Sequence, residues 1–311
     1  MAGQFLDGSF ATGKIATTLG GLPLLNRQRI ILYMLEKAGG SASRIQLMEW
    51  AFLLKQETPS RGGSAFYDFV PYQYGPHSFL LGQDMRNQVK SGLVQEPDDK
   101  TWSLQSGKLD SQARPQEVQD AARVLLQYGD MSPQALIDSV CSQYPWFTIN
   151  CEDPKSRLLE RPVAVPAVYT IGYQGLSIDF FLNFLLRSGI AGLADVRNAP
   201  WSRNFGFHRG TLSRLCENLG IQYWGFPELG VPSGERTGVD SHRDRETLFL
   251  RYRERIPREE SSSLSSLAEK MRDRPTVLLC MESDPSMCHR SQLANLVSEL
   301  TNLPIVHLKR T

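Results

Sequence analysis

The side chains best equipped for chemistry crowd into residues 280–290: Cys280, Glu282, Cys288, His289 and Arg290. A thiolate is a nucleophile or a metal ligand, an imidazole moves protons near neutral pH, and a guanidinium grips phosphate or carboxylate through forked donors. A helix is expected to open near Cys288, with Asp284 or Ser286 as its candidate cap. The dipole and free N–H groups at such an end favour an anion and draw a thiol toward thiolate. Glu282 is a candidate acid or base, or a partner that orients His289 or an arginine.

The cysteines allow three readings. In the first, Cys288 is a nucleophile with His289 next to it; neighbours on a helix diverge by about 100°, so His289 need not serve it. In the second, Cys280, Cys288 and His289 form a metal-ligand set; C-x-x-C pairs are absent, and no metal is predicted. In the third, Cys280 is a small buried hydrophobe and Cys288 packs the cap region. Cys141, Cys151 and Cys216 read as structural. Five is an odd number and no spacing suggests a disulfide framework, so reduced thiols and a cytoplasmic protein are expected.

Such residues need elements to hold them. Apolar strand patterns at 167–172, 190–196, 221–224, 276–282 and 305–308 alternate with helical patterns opening near Ser177, Thr211, Leu264 and Cys288. The first of these helices is expected to bury Phe180, Phe181, Phe184, Leu185 and Leu186. The alternation predicts an α/β domain with a parallel sheet covered on both faces, which binds ligands beyond the carboxyl ends of its strands. Tyr173, Asp195, Arg197, Glu228, Cys280 and Glu282 all fall at those ends.

Several of these have two readings. Asp195 is an acid/base candidate and Arg197 an anion clamp, or the two form an ion pair that fixes the strand end. Glu228 is a ligand contact or a loop anchor. Arg236, His242, Arg243, Arg245, Arg251, Arg253, Arg255 and Arg258 crowd residues 233–260, with Arg203, Arg209 and Arg214 nearby. They suit a phosphate backbone or nucleotide, or, over 251–260, a solvated helix face laced with ion pairs. Phosphate-loop, dinucleotide, zincin and nucleophile-elbow motifs are absent, so the common nucleotide hydrolases, dehydrogenases, zinc proteases and α/β-hydrolases lose support.

The pieces Thr170-Ile171-Gly172-Tyr173, Asp195 to Arg203, Gly220 to Tyr223, Pro227-Glu228-Leu229-Gly230, Leu279 to Glu282 and Cys288-His289-Arg290 occur in one order. In this the C-terminal half closely resembles the family catalogued as domain of unknown function 488, over about residues 167–300. The resemblance implies a prokaryotic Rossmann-like domain and no assigned function. Some members have His where Tyr173 stands here.

The first part of the chain reads differently. Helices are expected from Asn26 to Gly39-Gly40, over Ser43–Lys55 and over Ser78–Lys90, followed by two short strands around the turn Pro97-Asp98-Asp99-Lys100. Helices followed by a small β-wing make a winged-helix pattern. With Tyr72 to Ser78 and Ser91 to Val94, residues 26–105 resemble the N-terminal domains of the SocA-like antitoxin and Panacea group. That resemblance implies protein contacts, and related winged helices bind DNA. A connector helix with a stripe of Val118, Ala121, Ala122, Val124, Leu125 and Leu126 is expected next, then a second helix and a Pro-punctuated linker at 161–166.

The chain of 311 residues is long enough for two domains. The division expected is a disordered tail over 1–22, a winged-helix-like domain over 23–110, a helical connector over 111–162 and a Rossmann-like domain over 163–311. A net charge of +1 advertises no nucleic-acid or membrane partner, and no apolar run reaches membrane-span length. The opening residues do not read as a signal peptide. The expected function is hydrolytic or group-transfer chemistry on a nucleotide or a modified base in nucleic acid. Asp195 and Glu282 would be its acid/base pair, Cys288 and His289 its nucleophile or proton shuttle, and Tyr173, Arg197, Arg203, Glu228 and Arg290 its binding residues. The alternative is a sensor that binds without turnover, in a defence or toxin–antitoxin setting. Partners are DNA or a nucleotide, and a protein at the N-terminal domain; no cofactor is predicted.

Overall fold

The computed structural model describes residues 18–19, 22–105, 113–236 and 241–310. Most of the tail expected over 1–22, and residues 237–240 of the arginine-rich stretch, lie outside the described residues. In chain order the elements begin with β1 (Thr18–Leu19), β2 (Leu22–Pro23), α1 (Asn26–Lys37), β3 (Ser41–Ser43) and α2 (Arg44–Glu57). They continue with β4 (Val70–Tyr72), β5 (Gly75–His77), α3 (Phe79–Lys90), β6 (Val94–Asp98), β7 (Thr101–Leu104), α4 (Pro115–Tyr128) and α5 (Pro133–Gln143). The remainder is β8 (Val168–Gly172), α6 (Ile178–Arg187), β9 (Gly192–Asp195), α7 (Arg209–Asn218), β10 (Gln222–Gly225), α8 (Ser233–Arg236), α9 (His242–Glu259), α10 (Ser261–Asp273), β11 (Thr276–Cys280), α11 (His289–Thr301) and β12 (Ile305–His307). No helix among the described residues is long and apolar enough to cross a membrane.

The chain forms two compact units. One holds the residues up to Tyr67 with Pro76–Gln143; the other holds Asp68–Gly75 and the chain from Tyr144 onward. This differs from the expected division at 110 and 162, because α4 and α5 pack on α1 and α2 instead of standing as a connector. The expected apolar stripe of α4 is corrected as well. Ala122 is exposed and Leu126 is 89% exposed, while Glu117, Asp120, Ala121, Val124 and Tyr128 are buried. The buried acids are occupied: Glu117 accepts from Asn26 Nδ2 at 2.8 Å and Asp120 from the Ser60 N–H at 2.9 Å. Hydrogen bonding, not hydrophobicity, therefore chooses part of that face.

Within the first unit, Ser43 opens α2 with a reciprocal cap. Its hydroxyl accepts from the Gln46 N–H, and the Gln46 amide oxygen accepts from the Ser43 N–H. β3, β7 and β6 form a three-stranded antiparallel sheet. The order is thus helix, strand, helix, helix, and a two-stranded hairpin.

The second unit is built on a five-stranded parallel sheet of order β10-β9-β11-β8-β12. Every residue of β8, β9 and β11 is buried, as a sheet covered on both faces requires. The chain runs from β8 to β9 to β10 in one direction across the sheet and returns through β11 to β12. Right-handed crossovers, the near-universal hand, then put α6 and α7 on one face and α9 to α11 on the other. Side chains of α9, α10 and α11 accordingly share one buried cluster with Val168, Ala194 and Leu278. The reversal occurs beside β11, so β11 and its two neighbours border the crevice where such sheets bind ligands.

Two sequence expectations need correction here. Phe180 and Phe184 of α6 are only half-buried; Ile178, Phe181, Leu182, Leu185 and Leu186 form its inner face. The charged stretch after 240 contains an 18-residue helix, α9, capped by Ser241 and anchored by buried Tyr252 and Ile256. Its Arg-rich exterior hides that one-turn apolar spacing.

Gly172 explains how the loop after β11 reaches the sheet edge. A methyl group on its Cα would collide with the carbonyl of Glu282. Tyr173 and Gln174 then donate backbone N–H groups to Cys280 and Met281 at 3.2 and 2.9 Å, pinning the loop. Gly172→Ala should cost about 1–3 kcal/mol of stability by overpacking, read from urea denaturation of the full chain; an unchanged midpoint would show that the loop yields freely.

Candidate functional site

Two polar groups occupy the carboxyl edge of the sheet. The first is built on β9. The Asp195 carboxylate accepts from Arg197 Nε at 2.7 Å and Arg197 Nη2 at 2.6 Å, and from the Tyr223 hydroxyl at 2.7 Å. Arg197 Nη1 donates to the Phe207 carbonyl at 2.9 Å. The guanidinium lies 5.2 Å from the centre of the Tyr173 ring, which stacks on Phe207 at 4.3 Å. Burial alone would lower the basicity of Arg197, but its bonds to Asp195 reverse the sign and raise it. Burial and the Asp195 charge push the Tyr223 hydroxyl up.

Of the two readings of Asp195 and Arg197, the ion pair is the one seen. Asp195 is 1% exposed and Arg197 4%. Their charges are spent on each other, so Arg197 is not an open anion clamp. Tyr173 is buried as a platform under Arg197 and presents no open surface to a ligand.

The second group is built on β11 and the first turn of α11. Cys288 is itself the N-cap residue of α11, and no side chain caps it. Asp284 instead caps the short 3₁₀ turn Pro285–Met287 through the Ser286 N–H at 2.9 Å. Cys280 Sγ lies 3.3 Å from Glu282 Oε2 and 3.9 Å from His289 Nδ1. His289 Nε2 lies 3.2 Å from the Val196 carbonyl. A carbonyl only accepts, so Nε2 carries a proton and Nδ1 faces the sulfur. The ligand atoms of Cys280, Cys288 and His289 all lie within 4.8 Å of one another.

Burial would raise the Cys288 thiol, but hydrogen bonding from Cys280 and the neighbouring His289 and Arg290 overcome it and hold it well below the usual thiol range. Cys280 moves the opposite way: its bond to Cys288 and its burial keep it a thiol. Burial and the adjacent Cys288 raise Glu282.

Of the remaining predicted residues, Arg290 adjoins the second group, while Glu228 and Arg203 belong to neither. Arg290 is 1% exposed and donates from Nη1 and Nη2 to the carbonyls of Glu282 and Ser283, so it fixes the loop, while its Nε is buried without a hydrogen-bond partner. Glu228 accepts from Ser263 Oγ at 2.7 Å, which makes it a loop anchor. Arg203 is exposed, with its guanidinium 5.9 Å from the Trp201 ring.

Glu282, Cys288 and His289 line a pocket of about 150 Å³ together with Val231, Arg245, Leu248, Phe249 and Met287. Arg245 supplies a cation beside the thiol and the carboxyl group. In the sequence it is one arginine among many, and only the spacing of Arg245, Leu248, Phe249 and Tyr252 on α9 distinguishes it. A larger pocket of about 390 Å³ near the ends of β8 and β12 holds Lys309 and Arg310 but none of the thiol, imidazole or Glu282 groups.

Residues 177–297 match the family model described as Domain of unknown function DUF488. The matched span holds β9, β10, β11, α9 and most of α11, and with them both polar groups except Tyr173. No curated protein and no solved structure matches the chain.

Removing Asp195 would strand the buried Arg197 charge. Asp195→Asn should destabilise the chain by about 3–5 kcal/mol, as expected for a broken buried ion pair, and Tyr223→Phe by about 1 kcal/mol, one hydrogen bond. Chemical denaturation measures both; equal, small losses would mean that the pair does not hold the strand end.

Proposed function

We propose that the C-terminal unit is an enzyme performing hydrolytic or group-transfer chemistry on a phosphate-bearing substrate, a nucleotide or a modified base in nucleic acid. The observation that carries the reading is the shared pocket: Glu282, Cys288 and His289 meet Arg245 where the sheet order reverses. Arg245 is the anion-binding group. Glu282 is the proton-transfer group, and Cys288 and His289 present the reacting side of the pocket. Asp195, Arg197, Tyr173 and Tyr223 are positioning residues, since they hold β9 and the Val196 carbonyl that orients His289. A volume of about 150 Å³ admits the reacting end of a nucleotide and leaves the rest outside.

One observation favours the sensor reading: Arg197 and Arg290, the arginines nearest the strand ends, spend all but one of their nitrogens on internal bonds. The two readings separate on turnover. The full chain is incubated with deoxynucleoside mono- and triphosphates and with single-stranded oligonucleotides carrying modified bases, and products are followed by mass spectrometry. Glu282→Gln should lose ~10²–10⁴-fold in turnover with binding nearly intact, and Arg245→Ala should bind about tenfold more weakly. Binding without product in the unaltered chain would leave a sensor; neither binding nor product would remove both.

The N-terminal unit fits a winged-helix-type module that brings the enzyme to DNA or to a protein partner. Its order of helices and hairpin supports this, as do exposed Arg86 and Lys90 on α3, the helix before the hairpin. If DNA is the partner, duplex affinity falls with salt, and replacing Arg86 and Lys90 together with Ala lowers the slope of log affinity against log salt by about two. Fluorescence anisotropy measures this; an unchanged slope would place the contact elsewhere or exchange DNA for a protein.

A further inference from the structure

We infer that Cys280, Cys288 and His289 form a binding site for a soft divalent metal ion of the zinc class, with its fourth position open toward the pocket that holds Glu282. The inference deepens the enzyme reading of this pocket, yet it stands on separate observations. In sequence the set lacks paired C-x-x-C spacing. In three dimensions β11 supplies one thiol and the opening of α11 supplies the other thiol and the imidazole, and the three ligand atoms lie within 4.8 Å of one another.

Tetrahedral zinc with Zn–S near 2.3 Å and Zn–N near 2.0–2.1 Å needs its ligand atoms roughly 3.5–3.8 Å apart. The site is therefore near closing distance, and small side-chain rotations complete it. His289 is already arranged as metal-bound imidazoles usually are. Its outer nitrogen is tied to a backbone carbonyl, Val196, at 3.2 Å, and its inner nitrogen faces the sulfurs. Tyr252 packs edge-on against the ring at 5.4 Å and restricts its rotation.

Burial separates this cluster from an ordinary pair of core cysteines. Cys280 is 3% exposed, Cys288 2% and His289 5%. Two thiols and an imidazole turned inward on one another in a buried site make a poor apolar contact and a good soft donor set. Cys216 and Cys151 are equally buried but belong to no such three-ligand cluster among the described residues. Cys288 and His289 also line the pocket while Cys280 lies behind them, so the cluster meets the pocket on one side. Three protein ligands with one open position is the pattern of metal centres that act on a substrate, as distinct from closed structural ones. Arg245 lines the same pocket, where a phosphate-bearing substrate would enter.

The test uses the full chain, purified without chelator from zinc-supplemented medium. Elemental analysis should find about one zinc per chain. The metal-free chain titrated with cobalt(II) should develop a sulfur-to-cobalt charge-transfer band with the visible bands of a tetrahedral ion. Cys280→Ser and Cys288→Ser should each weaken cobalt binding about 100-fold, while Cys216→Ser leaves it unchanged. Circular dichroism separates lost binding from lost folding, and the titration of the unaltered chain stands whether or not the variants fold. A folded chain that retains no zinc and shows no charge-transfer band with cobalt overturns the site. Turnover by a chain that binds neither zinc nor cobalt would overturn the site while leaving the enzyme reading; bound metal without turnover on any substrate would do the reverse.

Discussion

The carboxyl edge of the sheet depends on the buried pair between Asp195 and Arg197. Two charges with almost no exposure are tolerable only because each is fully bonded: Asp195 to Arg197 and Tyr223, Arg197 to Asp195 and the Phe207 carbonyl. That network ties the end of β9 to β10 and to the loop that carries Phe207. Val196 lies between the paired residues, so the pair also fixes the carbonyl that orients His289. The ion pair does no chemistry itself. It makes rigid the wall against which the thiol–imidazole group is set.

The other wall is the loop after β11. Gly172 lets the Glu282 carbonyl approach β8, and Arg290 bonds the carbonyls of Glu282 and Ser283 from α11. An arginine that looks like a phosphate clamp in the sequence thus acts as a brace. Both walls follow one physical rule: a buried guanidinium needs several acceptors, and backbone carbonyls and a carboxylate take up every nitrogen of Arg197 and two of the three of Arg290. The cation that remains at the pocket, Arg245, comes from α9, which packs beside α11 on the same face of the sheet.

Much of this was legible in the residues. Continuous apolar runs marked the strands, and the rule that parallel sheets bind at their carboxyl ends drew attention to Asp195, Cys280, Glu282 and Cys288. The mixed α/β architecture and the five-stranded parallel sheet follow that reading. Four things were not legible. Local sequence does not say whether Arg197, Glu228 and Arg290 point into a crevice or back into the protein, since that depends on acceptors distant in the chain. α9 read as a helix face only over 251–260; its first half was hidden because the charged exterior outweighs two buried residues, Tyr252 and Ile256. The α4 stripe was misread because Glu117 and Asp120 are buried by hydrogen bonds that no hydrophobic pattern reports. The convergence of Cys280, Cys288 and His289 needed the third dimension as well: seven residues of loop and turn separate the thiols in the chain, and only the closure of that loop against β8 brings them together.

The most direct measurement is a crystal structure of the full chain soaked with a deoxynucleoside phosphate, with diffraction recorded on both sides of the zinc absorption edge. A working pocket requires an anomalous peak among Cys280, Cys288 and His289, with phosphate density between Arg245 and Glu282. Phosphate bound only at other arginines, with the thiols and imidazole packed together and no anomalous peak, would contradict it.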